Sequence, residues 1–307
     1  DVSDKTKGLV KELAKTLNYQ PNAFAVNLRT KESKTIGLII PEIVHHFFSN
    51  VIKGILTQAE KEGYLVIILQ SNESYELEKK QLDLLLRQRV DGILISIANT
   101  TRNFTHLSDV ISQGKPLVMF DKIAKILECS KVVIDDRKAA KVATQHLIDT
   151  GCKRIAHFRG PLLAQNSIDR FLGYKEALEE NNFTYDSSLV YICECGDSSF
   201  EEGKFNAKKL IQDHDDIDGV FINTDLVAIG ALTVFTEMGI KVPDDISIVG
   251  FSNWFMASVI SPSLTTINQP GFKMGKAAFK QLYKELNQRK KNSPIVYEKI
   301  ILETELV

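Results

Sequence analysis

The stretch that decides the fold is TIGLII at Thr35–Ile40, followed by a helix-like segment and then by LVIIL at Leu65–Leu69. Both short runs are apolar almost throughout, which is typical of strands that are covered on both faces. The apolar residues between them follow the i, i+3, i+4, i+7 spacing of an amphipathic helix: Phe48, Val51, Ile52, Ile55, Leu56 and Ala59. A strand, a helix and a second strand in this order predict a parallel sheet with helices packed against it.

The same alternation continues along the chain. Ten short runs are predicted as strands: Thr35–Ile40, Tyr64–Leu69, Gly92–Ile97, Leu117–Phe120, Val132–Ile134, Arg154–Phe158, Leu189–Cys193, Gly219–Ile222, Ile246–Gly250 and Leu264–Ile267. Amphipathic segments such as Val227–Met238 separate them. This pattern predicts an α/β fold with doubly wound parallel sheets.

The order of the elements also repeats within the chain. Gly54-Ile55 in the first half is matched by Gly173-Tyr174, 119 residues later, and Val90–Ile95 is matched by Ile217–Ile222, 127 residues later. The two halves are therefore interpreted as copies of one wound unit. Two such units side by side leave a cleft at the carboxyl ends of the strands, where ligands bind in folds of this type.

The charge of the chain is unevenly distributed. The formal net charge is −1, yet residues 1–34 carry seven Lys/Arg against four Asp/Glu, which leaves this head at +3 and the remaining 273 residues at −4. A basic head on a mildly acidic body favours a segment that touches nucleic acid. Chance fluctuation in a short window explains so small an asymmetry equally well.

The composition favours a soluble cytoplasmic protein without a metal, a cofactor or an enzymatic activity. No apolar run reaches the roughly 18 residues of a membrane span, and no signal-peptide core is present. The sequence contains no phosphate-binding loop and no HExxH or GxSxG motif. The cysteines have neither metal-binding nor disulfide spacing and are expected to be free thiols: Cys129, Cys152, Cys193 and Cys195.

The head is predicted to contain two short helices and a linker. Residues 3–18 have Ser3 as a suitable N-cap and an apolar stripe. Pro21 suits the first turn of a second helix, and the polar residues 30–34 suit a linker. The apolar stripe comprises Leu9, Val10, Leu13, Ala14 and Leu17.

The order of motifs along residues 2–307 resembles the LacI/GalR family of bacterial transcription repressors. YQPNAFAVNLRT at Tyr19–Thr30 and KTIGLIIP at Lys34–Pro41 are similar to the hinge helix and the first core strand of that family. Further motifs follow in the family's order: Phe47-Phe48, Arg89–Ile93, Gln145–Leu147, Asp169–Tyr174, Asp225–Leu232, Val242–Ser247 and Pro262–Pro270.

The resemblance implies two periplasmic-binding-protein-like subdomains joined to the remnant of an all-α helix-turn-helix headpiece. The expected divisions are 1–34 for the headpiece remnant and hinge helix, 35–150 with 269–291 for the first subdomain, and 151–268 with 292–307 for the second. In the family the recognition helix precedes the position of Val2. This chain is therefore expected to be N-terminally truncated and not to bind its operator specifically, whereas the full-length protein should.

The resemblance also implies which hinge residues contact DNA. Leu28 takes the place of the apolar wedge that enters the minor groove and kinks the duplex, and Asn22, Ala25 and Arg29 lie on the same short helix. An alternative is that Leu28 only packs beneath a linker. The family usually has Arg where this chain has Val26, so one contact with DNA is expected to be missing.

By the same resemblance, the effector contacts come from loops that follow the strands. The candidates are Phe47, Arg170, Thr224, Asp225, Ser252, Asn253, Trp254 and Gln269. Carboxylates, amides and a guanidinium suit the hydroxyls of a polyol, and an aromatic ring suits its apolar face. Three alternatives remain open: Trp254 as a packing residue, Arg170 as a structural ion pair and Asp225 as a helix-terminal charge.

Several departures from the family lie at this predicted site. Ser252-Asn253 stands where the family commonly has two aspartates, and Thr224 stands where it has asparagine. The loss of carboxylates favours a sugar phosphate or a uronic acid alongside a simple sugar. His45-His46 replaces the usual Asn-Pro and is interpreted as a pair of exposed loop residues, with a ligand contact or a pH-sensitive element as alternatives.

The expected function is that of an allosteric repressor. Effector binding would change the angle between the lobes, and a homodimer formed through the helix Ser49–Glu62 and the helix after Glu76 would pass the change to the hinge and the operator DNA. The alternative is a periplasmic-type sugar-binding protein of a transporter or chemosensor. That class shares the fold but has no use for the hinge segment Pro21–Gly37.

Overall fold

The computed structural model describes residues 2–19, 32–194 and 199–307. The α-helices in these ranges are α1 (Asp4–Thr16), α2 (His46–Lys61), α3 (Tyr75–Arg87), α4 (Thr105–Ser112), α5 (Asp136–Asp149), α6 (Gln165–Glu180), α7 (Ser199–Asp213), α8 (Asp225–Glu237), α9 (Met256–Val259) and α10 (Gly271–Lys290). The strands are β1 (Thr35–Ile40), β2 (Leu65–Gln70), β3 (Gly92–Ile95), β4 (Leu117–Phe120), β5 (Ser130–Ile134), β6 (Ile155–Arg159), β7 (Val190–Ile192), β8 (Gly219–Ile222), β9 (Ser247–Ser252), β10 (Thr265–Asn268), β11 (Lys299–Leu302) and β12 (Glu305–Leu306).

All ten predicted strands are present, with ends that differ from the prediction by at most two residues. The last two strands, β11 and β12, were not predicted. Their residues alternate between exposed and half-buried positions. Strands of this kind lack the continuous apolar run that identifies a buried strand, so the sequence pattern did not reveal them.

The first lobe is a six-stranded parallel sheet in the order β11-β5-β4-β3-β1-β2. Side chains on the two faces of β1 pack against different helices, as alternation along a strand requires. Leu38 lies in a cluster with Val51 of α2 and Phe279 of α10. Ile39 lies in a cluster with Leu85 of α3. The sheet is therefore covered on both faces, as its apolar runs predicted.

The second lobe is a six-stranded sheet in the order β12-β10-β9-β8-β6-β7, parallel except for β12. Helices α7 and α8 cover one face, where Leu210 and Phe235 pack against Val220. Helices α5 and α6 cover the other face, where Leu147 and Tyr174 are buried with the side chains of the sheet. The architecture predicted from the sequence is confirmed: two wound α/β lobes, each built on a mostly parallel sheet.

The predicted division of the chain needs two corrections. Helix α5 was assigned to the first lobe, but it packs against α6 and against strands β8, β9 and β10 of the second sheet. Strand β11 was assigned to the second lobe, but it pairs with β5 of the first sheet. The chain therefore crosses between the lobes three times: after β5, between β10 and α10, and between β11 and β12.

The head is described only in part. Helix α1 is present, and the Ser3 hydroxyl accepts a hydrogen bond from the Thr6 backbone as the predicted N-cap. The hinge residues predicted to contact DNA, Asn22, Ala25, Leu28 and Arg29, lie outside the described residues. The predicted apolar side chains Leu9, Val10, Leu13 and Leu17 are exposed.

The repeated glycines have a structural cause. A Cβ atom on Gly54 of α2 would lie 2.3 Å from the carbonyl oxygen of Phe272 in α10. A Cβ atom on Gly173 of α6 would lie 2.1 Å from the carbonyl oxygen of Arg137 in α5. In both lobes, a glycine thus permits close approach of two helices on the same sheet, which explains why it recurs in the two copies.

We expect Gly54→Ala to lower the free energy of unfolding by about 2 kcal/mol, because the added methyl group forces the backbones of α2 and α10 apart. Urea denaturation of the core measures this. Gly8→Ala in α1 is the control, since in the described residues its added Cβ meets no atom within 4 Å apart from the backbone of its own helix. If the Gly54 variant and the wild type had the same free energy of unfolding, close packing of α2 on α10 would not require glycine at this position.

Candidate functional site

A cavity lies between the two lobes, at the carboxyl ends of their strands, as the switch-point rule predicts. First-lobe and crossover residues lining it are Glu42, His45, Phe47, Phe48, Glu73, Asn99, Asp121, Lys122 and Gln269. Second-lobe residues lining it are Pro161, Asn166, Ser167, Arg170, Asn223, Thr224, Phe251 and Ser252. The space between them is about 70 Å³. Small-molecule pockets usually exceed roughly 300 Å³, so a ligand enters only if the lobes or side chains move apart.

The structure brings five of the eight predicted effector contacts to this cavity: Phe47, Arg170, Thr224, Ser252 and Gln269. The other three, Asp225, Asn253 and Trp254, are not among the described residues that line it.

The Asp225 carboxylate forms hydrogen bonds with other residues of the second lobe. Its side chain is buried, at 1% exposure. The carboxylate accepts hydrogen bonds from the Trp254 backbone N–H at 2.6 Å, from the Thr266 hydroxyl at 2.6 Å and from the Ser252 hydroxyl at 3.4 Å. It therefore ties the loop after β9 to β10. Helix α8 is capped by Thr224 instead, which accepts from the Val227 N–H.

Asn253 and Trp254 sit on the same loop with their side chains directed to protein neighbours. The Asn253 amide donates to Asn268 Oδ1 at 3.3 Å. The Trp254 ring meets Phe255 edge to face, with ring centroids 5.7 Å apart. This agrees with the alternative of Trp254 as a packing residue.

Arg170 on α6 is held by three groups. Its Nε donates to Asp136 Oδ1 at 2.8 Å, its Nη1 donates to the Asn223 carbonyl at 3.0 Å, and its guanidinium lies 3.6 Å from the centre of the Phe251 ring. Burial raises the pKa of Asp136 to about 7, against the opposing charge of Arg170. Arg170 therefore forms a structural ion pair while it also lines the cavity.

The first-lobe wall contains a second ion pair that the sequence analysis did not identify. Lys122 Nζ pairs with Glu73 and donates to Asn99 Oδ1 at 2.7 Å. Asn99 is held in place by a buried anchor beneath its loop. Glu78 Oε2 accepts from the Ala98 N–H at 2.6 Å, and Glu78 Oε1 pairs with His106 Nε2 at 2.8 Å.

Asp121 is another carboxylate that lines the cavity. It directly follows β4, is 8% exposed, and accepts from Gln269 Nε2 at 3.1 Å and from the Ser96 hydroxyl at 3.5 Å. Burial raises the pKa of this carboxyl, while the nearby charges of Lys122 and Arg170 act in the opposite direction. Gln269, at the crossover into α10, thereby links the second sheet to the first-lobe wall.

The interpretation of His45-His46 as exposed loop residues was wrong. His45 lines the cavity, and burial lowers its pKa to about 4, with further lowering by the charge of Lys122. Burial lowers the pKa of His46, whereas the nearby Asn253 backbone of the second lobe acts in the opposite direction, and the His46 Nε2 lies 3.2 Å from Asn50 Nδ2. Helix α2 begins at His46, so both histidines lie at its N-terminal end, which faces the second lobe.

Left-handed backbone conformations cluster around the same cavity. Asn72, Glu73, Asp121, Ser252 and Asn253 all have positive φ angles, between 49° and 113°. Such angles cost non-glycine residues energy and are concentrated at binding and catalytic sites. Ser252 is the last residue of β9, and the other four lie within three residues after the ends of β2, β4 and β9, so the strain lies where loops turn into the cleft.

The missed residues share a signal that was available in the sequence. Glu73, Asn99 and Asp121-Lys122 follow the ends of β2, β3 and β4, the position at which the switch-point rule places ligands. These residues were missed because the candidates were chosen from motifs shared with the family. The switch-point rule would have included every polar residue at the carboxyl end of a strand.

A second cavity, of about 340 Å³, lies at the opposite end of the second sheet, beside Ser247, Pro262 and Thr265. It is larger, but the residues lining it include no carboxylate, lysine or arginine. The interlobe cavity remains the candidate site because charged groups and strained backbone converge there. In the described ranges, no group of three His, Cys, Asp or Glu side chains is placed to hold a metal ion.

Three cysteines lie in the described part of the chain. Cys129 and Cys152 are buried free thiols, as expected, and Cys193 is also buried. Cys195 lies outside the described residues. No helix in the described ranges combines the length and the apolar character needed to cross a bilayer.

Comparison with known proteins gives a consistent result. The ribose operon repressor of Halalkalibacterium halodurans is 33% identical over 289 residues, which are 94% of this chain and 83% of that protein. The crystal structure of the transcription regulator CcpA of Lactococcus lactis matches with a TM-score of 0.79 and 30% identity, over 89% of this chain and 97% of that one.

A LacI-family transcriptional regulator from Enterococcus faecium, solved with bound ribose, matches with a TM-score of 0.77 and 27% identity, over 89% of this chain and 96% of that one. Residues 33–299 match the family described as periplasmic binding proteins and the sugar-binding domain of the LacI family. With relatives that are transcriptional repressors along nearly its whole length, this chain belongs to the LacI family of transcriptional regulators.

Proposed function

We propose that this protein is a transcriptional repressor whose interlobe cavity binds a sugar or a sugar derivative, and that binding alters its affinity for operator DNA. The observation that carries the proposal is the convergence of polar and charged side chains from both lobes on one cavity at the strand ends. Similar proteins are a ribose operon repressor and a LacI-family regulator with bound ribose. Regulation of transcription would place the protein in the cytoplasm, without an enzymatic step.

The contacts across the cavity supply a physical basis for allosteric control. Gln269 bonds to Asp121, and Lys125 pairs with Asp169 at 3.1 Å, each joining the two lobes. The His46 ring lies near the Asn253 backbone of the second lobe. A ligand that binds between the lobes must rearrange some of these contacts. It therefore binds two lobe arrangements with different affinity, which is the condition for a shift between them.

The proposal includes a homodimer and a DNA-contacting hinge. Helices α2 and α3 lie on the first lobe and carry the exposed side chains Leu56 and Leu84. A dimer formed there would bring two hinges together on a two-fold symmetric operator. Leu28 is proposed as the minor-groove wedge, with Asn22, Ala25 and Arg29 beside it.

The first experiment is thermal unfolding of the protein against a panel of sugars, sugar phosphates, uronic acids and purines. A ligand at 100 times its dissociation constant adds roughly 2.7 kcal/mol to stability. We expect one sugar or sugar derivative to raise the melting temperature, and Gln269→Ala to weaken its binding roughly tenfold by removing a hydrogen-bonding group from the cavity. Gln113→Ala, an exposed glutamine outside the cavity, is the control.

The ligand found in this way is then added to labelled duplexes from the region upstream of the protein's own gene, with DNA binding followed by fluorescence anisotropy. A change in DNA affinity on ligand addition supports the repressor proposal. Tight sugar binding with unchanged DNA affinity would instead favour a carrier role like that of a periplasmic binding protein. A purine as the sole ligand would refute the sugar assignment.

A further inference from the structure

We infer that the effector is uncharged and rich in hydroxyl groups, and that phosphorylated or carboxylated sugars are rejected, because the cations at the cavity are already paired with carboxylates of the protein. This inference rests on the proposed function of the same cavity. It narrows the range expected from the sequence, which included sugar phosphates and uronic acids.

The first cation, Lys122, is neutralised within its own wall. Its Nζ pairs with Glu73, and both side chains are largely buried, at 12% and 17% exposure. Its contact with Asn99 Oδ1 at 2.7 Å uses a further N–H. An anionic ligand at the remaining N–H would share this ammonium with Glu73, whose carboxylate already offsets its charge, and a ligand that displaced Glu73 would leave that carboxylate buried without its partner.

The second cation, Arg170, is engaged in the same manner. Its Nε is bound by the Asp136 carboxylate, its Nη1 by the Asn223 carbonyl, and its flat face is covered by Phe251. The two-pronged grip by which arginine usually holds a phosphate or a carboxylate needs two adjacent free N–H groups. Two of its five N–H groups donate to the protein, and Nε, which takes part in the side-on grip, is already bound by a carboxylate. An anion at the remaining N–H groups would share the guanidinium with Asp136, whose carboxylate already offsets its charge.

Asp121 is a further carboxylate at the cavity, and within the described residues its hydrogen-bond donors are the neutral side chains of Gln269 and Ser96. As a carboxylate it repels an anion. A like charge about 5 Å away in a medium of effective dielectric constant near 20 weakens binding by roughly 100-fold. As a protonated carboxyl it supplies a hydrogen-bond donor but no positive charge. A ligand hydroxyl satisfies either form, since it both donates and accepts.

Two buried polar atoms on opposite walls have no hydrogen-bond partner among the described residues: His45 Nδ1 on the first lobe and Ser167 Oγ on the second. Buried polar atoms of this kind are costly unless a ligand or a water bonds to them. The His45 ring stays neutral at physiological pH, because burial lowers its pKa to about 4. It therefore adds a hydrogen bond to the cavity without adding a cation. Hydroxyl groups match both atoms.

The test uses isothermal titration calorimetry on the whole chain with matched ligands: ribose and ribose 5-phosphate, and glucose with glucose 6-phosphate and glucuronate. We expect the neutral member of any pair that binds to bind at least roughly tenfold more tightly than its anionic partner. An anionic sugar that binds as tightly as its neutral parent, or more tightly, overturns the inference.

Inorganic phosphate provides a second readout that does not depend on the identity of the sugar. Phosphate at millimolar concentration should leave the melting temperature of the wild type unchanged beyond the effect of equal ionic strength in chloride. Glu73→Gln frees Lys122 and should produce a phosphate-dependent rise. Glu76→Gln has the same change of charge at an exposed position outside the cavity and should not.

The two readouts separate the two proposals. If no sugar binds but phosphate behaves as expected, the sugar assignment fails while the charge inference holds. If wild-type protein is stabilised by phosphate, or if Glu73→Gln gains no phosphate response, the charge inference fails whatever the sugars do.

Discussion

Replacing Arg170 by alanine is expected to lower the free energy of unfolding by about 3–5 kcal/mol, since it leaves Asp136 buried without its counter-charge. Arg170 and Asp136 are 4% and 8% exposed, and Nε lies 2.8 Å from Oδ1. The same change removes the cation–π contact with Phe251 and the donor to the Asn223 carbonyl. Urea denaturation above pH 7, where Asp136 of the wild type is ionised, followed by circular dichroism, measures the loss. Ligand binding should be lost as well.

Acidification should reduce this deficit. With Arg170 present, burial already raises the pKa of Asp136 to about 7, and removal of the opposing cation moves that pKa further upward. The carboxyl of the folded variant therefore takes up its proton at a higher pH than that of the wild type. The deficit is largest above pH 7, where the wild-type pair is ionised, and shrinks as the pH falls to about 7. The double variant Arg170→Met, Asp136→Leu should recover much of the stability. A single variant that loses less than about 1 kcal/mol would contradict a buried, charged pair.

The second large effect concerns His157 and pH. The imidazole is fully buried, stacks on Phe221 at a centroid distance of 4.7 Å, and has Nδ1 2.9 Å from the Phe221 carbonyl. Nε2 has no partner among the described residues. Burial lowers the pKa of His157 to about 3. The ring is therefore neutral in the folded protein over the range in which a histidine of the unfolded chain takes up a proton.

The sign of the effect follows from this difference. Below the unfolded value of about 6.5 the unfolded chain binds the proton and the folded chain does not, so stability falls as the pH falls toward about 3. Between pH 7 and pH 5 the contribution of one such histidine is about 2 kcal/mol. His45 acts in the same direction, down to its pKa of about 4.

His157→Phe keeps an aromatic ring in the stack and removes the titrating group. We expect its stability to fall less between pH 7 and pH 5 than that of the wild type, by about 2 kcal/mol, even though the Phe221 carbonyl loses its donor at both pH values. Urea denaturation at the two pH values measures the slope. His214→Gln, on the loop after α7, is the control. A His157 variant with the slope of the wild type would mean that the buried ring is not the acid-sensitive group.

The strands and helices could be predicted because the pattern that identifies each one lies within its own short stretch of sequence. Thr35–Ile40 and Gly219–Ile222 were predicted with their observed ends, since a strand covered on both faces is a continuous apolar run. Order and repetition of these runs determined the α/β class, the two wound units and the cleft at the strand ends. The motifs placed Phe47, Arg170, Thr224, Ser252 and Gln269 at that cleft.

The tertiary structure alone decided which elements and charges became partners. Helix α5 carries the same amphipathic pattern whichever sheet it covers, so only packing on α6 assigns it to the second lobe. The Glu73–Lys122 pair joins residues 49 positions apart, and the Asp136–Arg170 pair joins residues 34 apart. Periodicity records which face of an element is apolar, but ion pairing depends on distances between separate elements. For this reason the sequence located the cleft, and only the fold showed that its cations are already neutralised.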